Sequence, residues 1–200
     1  MKKSLLFIGA NDMGELMTEK KHLVSLYQDG LFVEAIPTVL PELQKNLLLA
    51  NSMFGTNFKA RSRLVTSQAG KSYDFNVFNN KGQSSSIYKP NGLVWKWNDV
   101  KHVDTISLTS TTIKLVLQEE GWENKAIDVI LDVQGAELEV LKGFGDNIQN
   151  VAQLTTEVSL VDFYNGGVLF KELHDFLCSY GFTLLELPKT DHCDVTYVRR

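Results

Sequence analysis

Short apolar runs alternate with stretches of helical periodicity along the whole chain. That alternation leaves few folds open: strands separated by helices pair in parallel, and a parallel sheet needs helices on both faces. Residues 4–8 form one such run, with apolar side chains at consecutive positions, the mark of a strand buried on both sides. Residues 14–28 read as a helix closed by Asp29-Gly30, and residues 31–36 as a second strand. Pro37-Thr38 opens a helix through about Ala50, with Leu40, Leu43 and Leu47 at helical spacing. Residues 59–65 read as a third strand. The clearest strand is 126–132, AIDVILD; it runs into a short helix, 136–142, that ends at Gly143 with Lys142 in its last turn. A strand at 154–160, a helix at 170–180 broken by Gly181, and a closing pair of strands at 182–187 and 195–199 complete the pattern.

The 200 residues, 44% of them apolar, suffice for one core, and a single domain over residues 1–200 is expected. The net charge of −4 and the absence of any basic run argue against a nucleic-acid partner, which would need cations to displace phosphate counterions. Two cysteines, Cys178 and Cys193, make no disulfide framework, so a reducing, cytoplasmic setting is the simpler expectation. The apolar opening stops at Asn11-Asp12, short for a secretory signal, and no stretch approaches a membrane span. The segment between Val65 and Ala126 is about twice the length that a strand–helix–strand crossover requires. Within it, 73–78 and 84–88 flank Asn79-Asn80-Lys81-Gly82-Gln83 as a hairpin, and a helix runs from Thr111/Thr112 to Glu120. An insertion over about residues 70–105, between the third and fourth strands, either shapes a substrate pocket or decorates the surface; the sequence allows both.

Three elements carry chemistry. The first strand turns into a helix through Gly9-Ala10-Asn11-Asp12-Met13-Gly14, where glycines let backbone approach a ligand. The spacing fits neither a P-loop nor a dinucleotide G-x-G-x-x-G. Glu34 ends the second strand, where a carboxylate can accept hydrogen bonds from both hydroxyls of a ribose. Asp132 ends the strand 126–132, at the sheet edge that faces the ligand crevice in open α/β folds. Glu137, in the first turn of the next helix, serves either the helix dipole or a ligand. Glu157 stands inside an apolar strand, and a buried acid needs a partner or a task. Among isolated histidines His102 is the better base candidate, because it lies in the insertion. Trp95 shares one face with Trp97 if extended and could line an acceptor pocket. Asp191-His192-Cys193-Asp194 reads as a turn before the last strand, since consecutive residues do not converge on one ion.

The stretch AIDVILDVQGAELEVLKGFGDNIQNVAQLTTEVSL resembles the signature of FkbM-type methyltransferases: an acidic strand end, Gly-Ala-Glu, Leu-Lys-Gly, then a strand carrying Glu. FIGANDMGE, LFVEAIP and FNVFNNKGQSSSIY extend the resemblance over nearly the whole chain. It implies a Rossmann-like class I methyltransferase fold, with a mostly parallel seven-stranded sheet whose last strand is antiparallel. It implies S-adenosylmethionine as methyl donor and a hydroxyl of a sugar, glycolipid or natural product as acceptor. On that resemblance Gly9, Ala10, Asn11 and Gly14 surround the methionine part of the cofactor, Glu34 takes the ribose, and Asp132 lies near the transferable methyl. Glu137 and Glu157 match recurrent carboxylates. Ser84, Ser85 and Ser86 match a serine run on the cofactor or acceptor side, grouped here with Trp95 and Glu137 as acceptor-binding. Three departures stand out: Phe7 where relatives carry an acid, Ser67 where an acid contacts the adenine region, and Gln134 in place of Glu.

Methyl transfer to an alcohol requires alignment of the reactants and removal of a proton. Asp132, helped by Glu157 or His102, is the expected base; a divalent metal is compatible with these carboxylates but is not predicted. The expected partner is a small-molecule acceptor, and a homo-oligomer is compatible with the composition. Two other readings stay open: a nicotinamide-dependent oxidoreductase, whose G-x-G-x-x-G and Tyr-x-x-x-Lys motifs are absent, and a non-catalytic domain with a degenerate cofactor site, which Phe7 and Ser67 would permit.

Overall fold

The computed structural model describes residues 3–91 and 99–199. Strands β1 (Lys3–Ile8), β2 (Tyr27–Glu34), β3 (Asn57–Ser62), β7 (Ile127–Leu131), β8 (Val151–Ser159), β9 (Phe182–Leu184) and β10 (His192–Arg199) form one sheet. Their order is β3-β2-β1-β7-β8-β10-β9. β1, β2, β3, β7 and β8 pair in parallel, whereas β10 runs antiparallel to both of its neighbours. This is the mostly parallel seven-stranded sheet with an antiparallel last strand that the resemblance implies.

Successive residues of β1 divide between two cores, which is why the strand reads as a continuous apolar run. Leu5 and Phe7 pack with Phe32 and Phe58 under α1 (His22–Leu26) and α2 (Leu40–Phe54), through Leu23, Val24, Leu43 and Leu47. Leu6 and Ile8 face the opposite core. There α3 (Ile113–Glu119), α4 (Glu137–Lys142) and α5 (Phe170–Ser179) contribute Ile113, Leu117, Val140, Leu141, Leu173 and Leu177. Helices thus cover both faces. Among the described residues no helix is long and apolar enough to cross a membrane.

The expected helix over 14–28 is replaced by a 3-10 turn (Gly14–Met17), the short α1, and an early start to β2 at Tyr27. Asp29-Gly30, which reads as a helix stop, lies inside β2. Gly30 is required there by packing: a Cβ would fall 2.7 Å from the rings of both Phe32 and Phe58. Tyr27 is held by its hydroxyl, which donates to the buried Asp128 at 3.1 Å, and Lys3 caps the same carboxylate at 2.8 Å.

A second sheet, of which β5 belongs to the insertion, is formed by β4 (Leu64–Val65), β6 (His102–Thr111) and β5 (Ser72–Phe78), in the order β4-β6-β5. The expected third strand is accordingly split at Arg63 into β3 and β4. The expected hairpin partner of β5, residues 84–88, makes only a single bridge, Asn76 to Ser86; the full antiparallel partner is β6. Ile36, Leu64 and Phe75 fill a third core beneath this sheet.

One contact fixes how the strand ends meet. Asp132 N donates to Ile8 O at 3.0 Å, and Gly9 N and Ala10 N both donate to Val33 O, at 2.9 and 3.1 Å. Gly9 has φ +80°, and a Cβ there would lie 1.6 Å from the Asp132 carbonyl oxygen. Gly9→Ala should therefore cost about 3 kcal/mol or more, from left-handed strain and backbone clash together. Gly55→Ala, at φ +66° with nothing within 4 Å, should cost only about 1 kcal/mol. Denaturant melts of the two variants test the difference.

Candidate functional site

The carboxyl ends of β1, β2, β7 and β8 open onto a cleft of about 370 Å³, within the size range of small-molecule pockets. Gly9, Ala10, Asn11, Glu34, Ser84, Ser85, Asp132 and Glu157 all line it. These are residues from four strand ends and from the insertion, brought together by the parallel register.

Glu34, the last residue of β2, is buried beneath the β1 turn. Its Oε2 accepts from Asn11 N and its Oε1 from Ile36 N, each at 2.8 Å. Burial pushes its carboxyl above the ordinary range, against the pull of these N–H groups. Asn11 sits at φ 50°, and its Nδ2 donates to Lys81 O at 2.8 Å. The insertion's turn 79–83 therefore rests on the same residue that holds Glu34.

At the other end, Asp132 and Glu157 face each other across Gln134. Gln134 Nε2 donates to Asp132 Oδ1 at 2.6 Å and to Glu157 Oε2 at 2.9 Å. Its Oε1 accepts from Tyr164 OH at 2.6 Å, and Tyr164 also reaches Ser84 O at 3.1 Å. Glu157 Oε1 lies 2.8 Å from His192 Nε2, and His192 Nδ1 lies 2.9 Å from Ser159 Oγ. Burial and then the nearby Glu157 charge push Asp132 up to about 7. For His192, burial is the largest influence and opposes protonation, but the hydrogen bond to Glu157 together with the nearby charges of Glu157, Asp132 and Asp194 makes the net shift upward.

Other expected site residues lie elsewhere. Glu137 is buried and its Oε1 accepts from Val133 N and Gly135 N, at 3.1 and 3.2 Å. It braces the loop that carries Gln134 and does not line the cleft. Gly14 starts the 3-10 turn, its N–H donating to Asp12 Oδ1 at 2.7 Å. Ser67 Oγ is engaged by Glu139 on α4. Ser86 Oγ accepts from Tyr88 N at 3.1 Å, outside the cleft, whereas Ser84 Oγ accepts from Asn80 Nδ2 at 2.8 Å and Ser85 Oγ from Phe78 N at 3.2 Å. His102 is not brought to Asp132. It begins the exposed end of β6, 2.9 Å from Thr105 Oγ1 and edge-on to Phe78. Trp95 lies outside the described residues.

Lys20, Arg63 and His192 also line the cleft, although the sequence does not single them out as site residues, and Gln134, read there only as a departure from the family pattern, joins them. The turn expected at 191–194 is instead the start of β10, where His192 pairs opposite Ser159 and Asp194 opposite Glu157. Strand alternation extended three residues upstream of Val195 would have placed His192 on the Glu157 face. Among the described residues no group of three or more His, Cys, Asp or Glu is arranged to hold a metal ion.

The model of the methyltransferase FkbM domain matches residues 8–184. Among solved structures, the chain is similar to the methyltransferase FkbM from Methylobacillus flagellatus, with a TM-score of 0.60 and 12% identity, over 98% of this chain and 43% of that one. It is also similar to an uncharacterized protein from Listeria monocytogenes (TM-score 0.51, 8% identity, 99% and 62% covered). A protein in the NADB-Rossmann superfamily from Streptococcus agalactiae matches at a TM-score of 0.50 and 12% identity, with 100% and 64% covered. The chain spans less than two thirds of each of these proteins, and at such identities the likeness is one of fold. No curated protein matches the chain.

Glu137 provides a test of the site's electrostatics. Burial and then repulsion from Glu157 raise it to about 8 from 4.5, so the folded state binds its proton more tightly than the unfolded chain does. The stability this contributes is complete below the unfolded value and is lost as pH rises through about 8; Asp132 has the same sign. Stability should fall between about pH 5 and about pH 9, and Glu137→Gln, which keeps the acceptor oxygen, should flatten that slope in denaturant melts.

Proposed function

Because the chain belongs to the FkbM methyltransferase domain family, we propose that residues 1–200 act as one S-adenosylmethionine-dependent methyltransferase domain that transfers methyl to a hydroxyl of a small-molecule acceptor. A sugar or glycoconjugate is the favoured acceptor class. The observation that carries this reading is Glu34, buried at the cleft with one N–H on each oxygen. Each carboxylate oxygen keeps a further lone pair, which suits a pair of ribose hydroxyls. Gly9, Ala10 and Asn11 present backbone at the same end, where the methionine part would lie, and Ala35, Leu64, Val65, Phe75 and Ile87 give apolar walls for a purine. These residues fit the cofactor.

When bound, the cofactor supplies an electrophilic methyl group on a sulfonium. The chain's part is to align an acceptor beside it and to take the acceptor's proton. Asp132, whose carboxyl burial and the Glu157 charge push above the ordinary range, is suited to that proton, with Glu157 joined to it through Gln134. Asn80, Gln83, Ser84 and Ser85 supply amides and hydroxyls on the insertion side of the cleft, which is chemistry for a polyol. The net charge of −4 supports an acceptor other than a nucleic acid.

S-adenosylhomocysteine should raise the melting temperature, and Glu34→Ala should weaken its binding at least about tenfold by calorimetry. An unchanged affinity in that variant would remove Glu34 from the cofactor site. Shortening the turn 79–83 should also lower affinity for S-adenosylhomocysteine, because the turn holds Asn11 and lines the same cleft. Unaltered binding in the shortened, folded variant would confine the insertion to the acceptor side.

A further inference from the structure

The arrangement around Gln134 does more than place a base. An amide nitrogen has two N–H donors, and Gln134 spends both on carboxylates, one on Asp132 and one on Glu157. Its oxygen is taken by Tyr164 OH. Turned over, the amide would point its oxygen at two carboxylates, which sets the orientation seen. It bridges the two acids without neutralising either. From β10, His192 is the next link, on the second oxygen of Glu157.

The charged and titratable groups facing this array come from every element around it. Asp194 of β10 pairs opposite Glu157, Glu137 of α4 lies behind the loop, Tyr164 donates to Gln134, and Lys20 lies across the cleft from Asp132. Acids outnumber cations here, and the Glu157 and His192 side chains are each only 16% exposed. Like charges so placed favour retention of a shared proton.

We propose that the array Asp132–Gln134–Glu157–His192 holds one exchangeable proton whose occupancy follows the charge of the ligand: absent opposite the cationic sulfonium of the methyl donor, present opposite the neutral thioether product. The inference rests on the methyltransferase reading. Methyl transfer to a hydroxyl breaks the O–H bond and the S–CH₃ bond and forms the O–CH₃ bond. The electron pair of the broken S–C bond stays on sulfur, and one proton is released. The array takes up that proton in the event that removes the sulfonium charge, so the summed charge within the cleft stays constant. A buried site thereby avoids holding an uncompensated charge at either end of the reaction. It follows that a filled array opposes the donor and tolerates the product, and that raising pH empties the array and favours the donor.

Calorimetry of S-adenosylmethionine and S-adenosylhomocysteine binding to the intact chain, in buffers of different ionisation enthalpy, reads the proton directly. The two ligands share their amino-acid and nucleoside parts, so those contributions cancel in the difference. Near pH 7 the sulfonium ligand should release about half a proton or more in excess of the thioether. The ratio of donor to product affinity should rise about tenfold from about pH 6 to about pH 8. Glu157→Gln and His192→Asn should flatten that ratio while still binding S-adenosylhomocysteine. Equal proton release by both ligands in the unaltered protein, or an undiminished pH dependence in both folded variants, overturns the shared proton. If neither ligand binds the unaltered protein, the donor reading itself falls, and the inference with it.

Discussion

The approach of the β1 turn to the end of β7 is the constraint from which the cleft follows. Gly9 lets the Asp132 carbonyl pass through space a side chain would occupy, while the Gly9 and Ala10 N–H groups share the carbonyl of Val33. Three adjacent strand ends, β2, β1 and β7, are thus tied within one small region. Glu34 and Asp132 owe their common cleft to that knot and to the parallel register beneath it, in which Phe7 pairs with both Phe32 and Ile130. The cost of an unusual backbone conformation at Gly9 is offset by hydrogen bonds that would otherwise be left to water.

Around this knot the charged groups are held by bonds that leave the cleft itself free. Glu137 turns inward to bind the loop 133–135, and Gln134 turns outward to span Asp132 and Glu157. One carboxylate therefore fixes the backbone from which an amide orders two others. Gln134 has φ 55°, and the two N–H groups bound by Glu137 hold the loop in that otherwise unfavourable shape. Tyr164 then joins the loop to the insertion through Ser84, so the carboxylate end of the cleft and the insertion share a wall.

How much of this was legible in the sequence depended on burial. β1 and β7 lie between two layers of helices and read as near-continuous apolar runs, and β8 shows the alternation of a strand, so all three are legible in the sequence. β6 was not found, because His102, Val103, Asp104 and Thr105 are exposed and give no apolar period to detect. Gly30 misled for a local reason: Asp-Gly is a common helix stop, and the two phenylalanine rings that demand a glycine come from β2 itself and from the distant β3. Glu34 and Asp132 were found because a strand end in a parallel sheet has a known relation to the crevice. Gln134 and His192 are harder to place, since the Glu157 that both engage lies far along the chain. His102 is the converse case: the insertion does contribute to the cleft, but through Phe75 and the segment 80–87 and not through β6.

Asn11 has two masters. Its backbone N–H holds Glu34, and its side-chain amide holds the carbonyl of Lys81. Thermodynamic reciprocity then applies within a single residue: whatever steadies the turn 79–83 also steadies the buried Glu34 carboxylate, and the reverse holds to the same degree. Two ligands that touch different sides of Asn11 would feel each other without meeting. A small polar side chain in a left-handed bend can in this way transmit preference for one ligand into readiness for another, with no hinge and no moving domain.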